Sequence, residues 1–303
     1  MEPSLLTVVM PVYNEALSLP GFLPEMFEYC ERHGYKLIIV DDGSADDSYA
    51  YLKSAKKSFV ILEKHRLNQG YGGALKSGLR RVDTPYCVTI DADGQHNLDD
   101  IKRLLECAIE NDADLVIGCR ENSLRFNWYR EIGKWLIRKF TNFLVPIDIK
   151  DLNSGFKLYR TRLVQRYLKL CPDSMAFSDV ITLLFINQRH LVVEYPITVK
   201  QRLAGRSTIG TYTAFQTIME IINLVMLINP LRMFLPLSLF CIVVGLLWGI
   251  PIIILGRGVS VGSMLAIVLG GLFFFLGLLA SQLSAIRIQL VNDEHENDVK
   301  DSE

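Results

Sequence analysis

The sequence predicts an α/β domain on a mainly parallel sheet, followed by a juxtamembrane helix and a two-helix membrane hairpin. Three observations lead there. Short apolar runs alternate with helix-length amphipathic stretches through the first 120 residues, the pattern of a parallel sheet covered on both faces. Polar clusters close those runs, as "YNE", "DDGS", "DADGQH" and "GCR". Charge then nearly disappears: between residues 209 and 290 only Glu220, Arg232, Arg257 and Arg287 are formally charged.

Each element has its own reason. "LLTVVMPVY" is a buried strand, and "LPGFLPEMFEYCERHG" carries helical periodicity that closes on Gly34. "YKLIIVDDGS" is a second strand, and "ADDSYAYLKSAKK" is a helix with acids near its start. "FVILEKH" is a third strand, followed by the helix "YGGALKSGLRRV". "YCVTIDAD" is the fourth strand, "LDDIKRLLECAIEND" an amphipathic helix and "DLVIGCR" the fifth strand. "NWYREIGKWLIRKFTNFLV" (residues 127–145) sets Trp, Tyr and Phe among Arg and Lys on a helical period. That suits a helix on an anionic membrane surface, or an ordinary amphipathic helix facing a core.

The polar domain is expected over residues 1–208, an amphipathic juxtamembrane helix over 209–230, the hairpin over 231–290 and a disordered acidic tail over 291–303. Residues 233–256 carry no charge over about 24 positions, and residues 258–286 none over about 29, against the roughly 20 that span a bilayer. Only Arg257, between glycines, separates the two runs. The N-terminal "MEPSLLTVVMPVYNE" has an early acid and no basic segment, unlike a signal peptide. The expectation is an integral membrane protein with its catalytic domain and both termini cytoplasmic, in mild agreement with Arg232 and Arg287 flanking the hairpin. Net charge is −1, so no basic field points to nucleic acid, and six cysteines without CxxC spacing fit reduced, mostly buried thiols. The sequence leaves a homo-oligomer open.

In an α/β sheet, ligands bind beyond the carboxyl ends of the strands, so the polar clusters share one rim. Asp91 and Asp93 fall on one side of an extended backbone, and Gln95 continues the spacing. Such oxygen donors suit Mg2+ or Mn2+ completed by a diphosphate, or else are turn acids capping the next helix. Asp42, in "DDGS", can accept from a base or a ribose, or serve turn chemistry. "NQGYGGALKSG" would let backbone approach a phosphate, yet it is neither a Walker A loop nor a full GxGxxG fingerprint. Asp151 and Asp179 are candidate acids on the acceptor or sugar side, with a helix cap as the other reading of Asp179.

In this order, "PVYNE", "VDDGS", "NQGYGGAL", "DADGQH", "GCR", "DLNSGFKLY" and "YPITVKQRLAGRS" resemble glycosyltransferase family 2. More narrowly they are similar to its polyprenyl-phosphate branch, the dolichol-phosphate mannosyltransferase-like enzymes, over about residues 5–210. The hairpin resembles that of bacterial members with two membrane helices. The resemblance implies a Rossmann-like GT-A fold and inverting transfer of a hexose from a nucleotide sugar, GDP-mannose or UDP-glucose first, to a polyprenyl phosphate lipid. It places Pro11, Tyr13, Glu15, Asp42 and Asp91 around the nucleotide, and Asp91, Asp93 and Gln95 at the Mg2+ or Mn2+ ion. Asp93, Arg120, Arg130 and Arg202 then form the catalytic set, the arginines lying near the donor and acceptor phosphates. Ser154 and Ser207 join Asp151 and Asp179 on the acceptor or sugar side. One departure stands out: where the family often ends its last motif in Ser-Lys, Ser207 is followed by Thr208, with Arg206 as the neighbouring basic residue.

A phosphate monoester with a second pKa near 6 is largely a dianion at neutral pH, so the reaction needs no strong general base. It needs cationic groups that hold two phosphates together, and arginine's planar fork suits that task. A processive polysaccharide synthase is the rival enzyme, but the chain lacks a Gln-x-x-Arg-Trp motif. An inactive membrane scaffold is the rival without catalysis.

Overall fold

The computed structural model describes residues 4–120, 149–200, 222, 226 and 229–300. The juxtamembrane helix expected at 209–230 lies outside the described residues except at those few positions. The described residues divide into two compact units, a polar one over 4–120 and 149–200 and a second one that holds 229–300.

The polar unit is a seven-stranded sheet with helices packed against it. In chain order the elements are β1 (Leu6–Val12), α1 (Leu19–His33), β2 (Lys36–Asp41), α2 (Ser48–Ala55), β3 (Val60–Lys64), α3 (Tyr71–Arg80), β4 (Tyr86–Thr89), α4 (Asp99–Glu110) and β5 (Leu115–Arg120). Then follow β6 (Lys157–Arg160), α5 (Thr161–Tyr167), a short 3-10 turn, α6 (Phe177–Asn187) and β7 (Val192–Ile197). The spatial order is β3-β2-β1-β4-β6-β5-β7, parallel except for β6, which runs antiparallel to both neighbours. The first nine elements fall within a few residues of their sequence expectations.

The middle strands are buried on both faces, which is why they read as continuous apolar runs. α1 turns Leu19, Phe22, Leu23, Met26, Phe27 and Cys30 onto the sheet and ends at Gly34, in the left-handed conformation (φ 66°) of a helix C-terminus. α3 lies close on β1 and β2. A methyl group at Gly78 would sit 2.5 Å from Val9 Cγ1. All six cysteines are free, four of them buried, as expected of reduced core thiols.

The C-terminal unit holds α7 (Leu231–Ile254) and α8 (Val261–Lys300). Their apolar spans, Leu231–Ile254 and Val261–Leu290, are long and apolar enough to cross a membrane. Small residues let the two backbones approach. Gly270 faces Ser238 and Ile242, Gly245 faces Ser263 and Ile267, and Gly277 faces Phe234. Positions 263, 270 and 277 recur every seven residues, the period that keeps one seam facing a partner helix. α8 continues to Lys300 and takes in most of the tail expected to be disordered. "NDEHENDVK" contains no proline or glycine, so the helix already nucleated by the apolar span can propagate through it.

Candidate active site

β1, β2, β4 and β5 run in one direction, so their C-terminal ends share a rim. The antiparallel β6 starts where they end, which brings the residues before it, 151–156, to the same rim.

β4 stops at Thr89, and Ala92 and Asp93 already lie in a turn. The two acids therefore do not share a face by strand alternation, as the sequence reading supposed. Ile90 still donates to Val9 O (3.1 Å), and the chain then bends through Gly94 at φ 71°. Asp93 Oδ1 accepts from the Gln95 backbone N–H at 3.1 Å. The turn is pinned further by Lys200 N–H donating to Gln95 O (2.8 Å) and by the His96 ring stacked on Phe156 at 4.8 Å. α4 carries its own first-turn acids, Asp99 and Asp100, so Asp91 and Asp93 are not its caps.

Asp91 Oδ1 accepts from the Tyr71 hydroxyl at 3.0 Å. Gly155 closes the other side: a methyl there would lie 2.6 Å from Tyr71 Oη and 2.9 Å from Asp91 Oδ2. Burial first, and then the charge of Asp93, push Asp91 up to about 6 against the lowering effect of Tyr71 and Arg120. Asp91 and Asp93 lie half-buried in one turn, a pair of oxygen donors of the kind that suits a hard divalent cation, and the Gln95 amide oxygen is a further oxygen donor in the same turn.

Arg120 ends β5 and forms a two-point ion pair with Asp151, Nε to Oδ2 at 2.7 Å and Nη2 to Oδ1 at 2.8 Å. Burial alone would raise Asp151, but the hydrogen bonds and charge of Arg120 outweigh it and hold the carboxyl below its ordinary value. Asp151 is thus the partner of Arg120 among the described residues.

The other expected residues divide. Pro11 is buried in β1, and Tyr13 is 48% exposed beyond its end. Glu15 Oε2 accepts from Ser18 Oγ at 2.6 Å, and its charge contributes to the rise of Asp91. Asp42 is occupied by donors of the protein itself. It is 2% exposed, and its oxygens accept from His65 Nδ1 (2.6 Å) and from the backbone N–H groups of Gln69 and Gly70 (2.9 Å each). Turn chemistry won here, because a carboxylate withdrawn from water needs several donors. The glycine-rich stretch also has a packing role. Gly73 N–H donates to Asp173 O (3.1 Å), and a methyl at Gly72 would collide with Pro172 O and Ser174 O. These glycines admit another strand of backbone, not a demonstrated phosphate. Ser154 is buried, with its hydroxyl engaged by the backbone of Phe156, so it braces the loop. Asp179 sits half-buried in the first turn of α6. Arg130, Arg202, Arg206 and Ser207 lie outside the described residues.

Comparison with known proteins agrees with this geometry. Residues 7–168 match the model of glycosyl transferase family 2, and residues 229–286 match that of the GtrB C-terminal hairpin. The chain belongs to glycosyl transferase family 2. This glycosyltransferase is 26% identical to an undecaprenyl-phosphate 4-deoxy-4-formamido-L-arabinose transferase of Sodalis glossinidius, over 94% of this chain and 90% of the relative. It is 31% identical to a polyprenol monophosphomannose synthase of Mycolicibacterium smegmatis, over 66% of this chain and 79% of the relative. A dolichyl-phosphate beta-glucosyltransferase of Dictyostelium discoideum is 29% identical over 53% of this chain and 55% of its own. Among solved structures, glucosyl-3-phosphoglycerate synthase from Mycobacterium tuberculosis in complex with Mn2+, UDP and phosphoglyceric acid shares the GT-A fold. Its TM-score is 0.57 at 16% identity, covering 73% of this chain and 78% of that one.

Two residues beside Asp91 are not singled out by the sequence: Tyr71 and Gly155. In the sequence Tyr71 stands inside a glycine-rich motif, and its partner Asp91 is twenty positions away. The one available signal was that "NQGYGGAL" and "DLNSGFKLY" hold aromatic and glycine residues beside strand ends.

Proposed function

We propose that this enzyme transfers a sugar, with inversion, from a nucleotide donor to a polyprenyl phosphate at the cytoplasmic face of a membrane. The observation that carries the reading is the half-buried Asp91–Asp93 turn beside Arg120 on the sheet rim, in a chain that also carries an apolar hairpin. Three relatives named for transfer to undecaprenyl, dolichyl or polyprenol phosphate support the acceptor class. GDP-mannose and UDP-glucose are the favoured donors. The arabinose derivative named for one relative widens the panel to UDP-linked pentose derivatives.

In this reading Asp91, Asp93 and Gln95 would hold Mg2+ or Mn2+, which when bound would supply positive charge for the donor diphosphate. Arg120, oriented by Asp151, adds donors toward the same diphosphate. Tyr13 and Glu15 flank the nucleotide, with Pro11 backing them, while Asp42 holds the turn before α3. Arg130 and Arg202 grip the acceptor phosphate, whose oxyanion attacks the anomeric carbon as the nucleoside diphosphate departs. The hairpin keeps this chemistry at the bilayer surface, with both termini cytoplasmic. The test is to incubate membranes containing the enzyme with undecaprenyl or dolichyl phosphate and a panel of GDP- and UDP-sugars, and to weigh the lipid product. One added sugar per lipid phosphate is expected. A polymer, or unchanged lipid with every donor, overturns the reading.

A further inference from the structure

Among the described residues Lys157 is the largest charged side chain with no exposure, and the proposed chemistry does not use it. It stands in β6 opposite Thr89 of β4 and Ile117 of β5, directly beneath the rim. Its ammonium donates to three oxygens: Leu152 O at 2.6 Å, Ser178 O at 2.5 Å and Thr182 Oγ1 at 2.8 Å. Leu152 belongs to the rim loop 151–156, and the other two lie in the first turns of α6. That loop carries Asp151, which orients Arg120, and Gly155, which touches Asp91 and Tyr71.

We propose that Lys157 is a positioning residue for the transfer reaction: it clamps the 151–156 loop to α6 and so sets where Asp151 meets Arg120 and where Gly155 meets Asp91. The consequence for catalysis rests on the reading given under Proposed function; the clamp itself does not. Three acceptors match the three hydrogens of an ammonium, whereas a neutral amine has two, so the full clamp belongs to the charged form. Burial pulls the amine down to about 7, opposed by Asp179 and Asp151 and assisted by Arg120; Cys171, whose thiol burial pushes up to about 12, faces it uncharged at neutral pH. The clamp therefore loosens as pH rises through about 7. Global stability moves the other way: the unfolded chain keeps this proton to about pH 10.4, so from about 7 to 10 it binds more protons than the folded chain, and this residue's contribution to stability grows with pH. A role in stability alone and a role in positioning thus have opposite pH signatures.

The decisive experiment measures hydrogen–deuterium exchange of residues 151–156, corrected for intrinsic rates, in full-length wild type, K157M and T182V at pH 6 and pH 8.5. T182V removes one acceptor and keeps the fold if K157M does not. Loop exchange should rise at least about tenfold in K157M at pH 6 and less in T182V, with β1 unchanged, and wild type should approach K157M at pH 8.5. In the lipid assay the wild-type to K157M ratio of kcat should fall as pH rises. Equal loop protection in wild type and both variants, or a kcat ratio flat with pH, overturns the proposal. Loss of all product with every donor, with the exchange pattern intact, overturns the functional reading and leaves the clamp standing.

Discussion

Replacing Gly155 with alanine tests the geometry beneath Asp91 most directly. The new methyl would sit 2.6 Å from Tyr71 Oη, 2.9 Å from Asp91 Oδ2 and 3.2 Å from Asp91 Oδ1. An ordinary carbon–oxygen contact needs several tenths of an ångström more, so something must move. The tyrosine cannot easily retreat: it opens α3, where Gly70, Gly72 and Gly73 are wedged against the backbone of residues 172–174. The Asp91 carboxylate is the freer group, and its shift breaks the 3.0 Å bond to Tyr71. Overpacking of this kind costs about 1–3 kcal/mol of stability, and a misplacement of roughly 1 Å at a reacting centre costs about a hundredfold in rate. We expect Gly155→Ala to fold, to melt a few degrees lower, and to lose about two decades of kcat in the lipid-product assay. The double variant Gly155→Ala/Tyr71→Phe removes the nearest clashing atom and should turn over faster than Gly155→Ala alone, although Tyr71→Phe by itself slows the enzyme. Wild-type turnover in Gly155→Ala, or a double variant no faster than the single one, refutes the packing argument.

Asp93→Ala should lower turnover at least about a hundredfold with the melting profile retained, and excess chelator should do the same to wild type; full activity in chelator removes the metal from the mechanism. Gly72→Ala should hinder folding more than catalysis, because its methyl meets the carbonyls of Pro172 and Ser174 and not a flexible side chain; an unchanged melting point contradicts this. Arg130→Ala and Arg202→Ala should cut acceptor kcat/KM roughly ten- to a hundredfold, from a charge-assisted bond of about 1.5–3 kcal/mol, with donor affinity by calorimetry little changed. A main loss in donor affinity would move them to the diphosphate. Lysine at either position should rescue only in part, since it lacks the two-point fork.

Much of the sheet was legible because its strands are short, apolar and spaced by amphipathic helices, so that period alone separates them. β6 was not. It is four residues long, and Lys157 and Arg160 interrupt its apolar pattern, so no hydropathy rule selects it. Its position between β4 and β5, against chain order, is a tertiary fact. The reach of α8 to Lys300 was missed for the opposite reason: composition marks "NDEHENDVK" as polar, but says nothing of a helix already formed upstream.

The candidate site was legible where a charge sits at odds with its neighbourhood. Two acids closing an apolar run are costly unless compensated, and the rise of Asp91 to about 6 expresses that cost. The same rule failed at "DDGS", where adjacent acids both sit in a buried place. There the compensating donors for Asp42, His65 and the N–H groups of Gln69 and Gly70, lie more than twenty positions ahead. Sequence shows that a buried carboxylate needs donors, but not whether protein or ligand supplies them. The inserted strand makes the difference at the opposite side of the rim. A parallel strand reaches the rim at its end and offers the residues after it, whereas the antiparallel β6 leaves the rim at its start and offers the residues before it. That reversal is why "DLNSG", and not the segment after "KLYR", lies beside Asp91 and Arg120. It also explains why one short strand can hold both the lysine below the rim and, through residues 151–156, the groups that shape it.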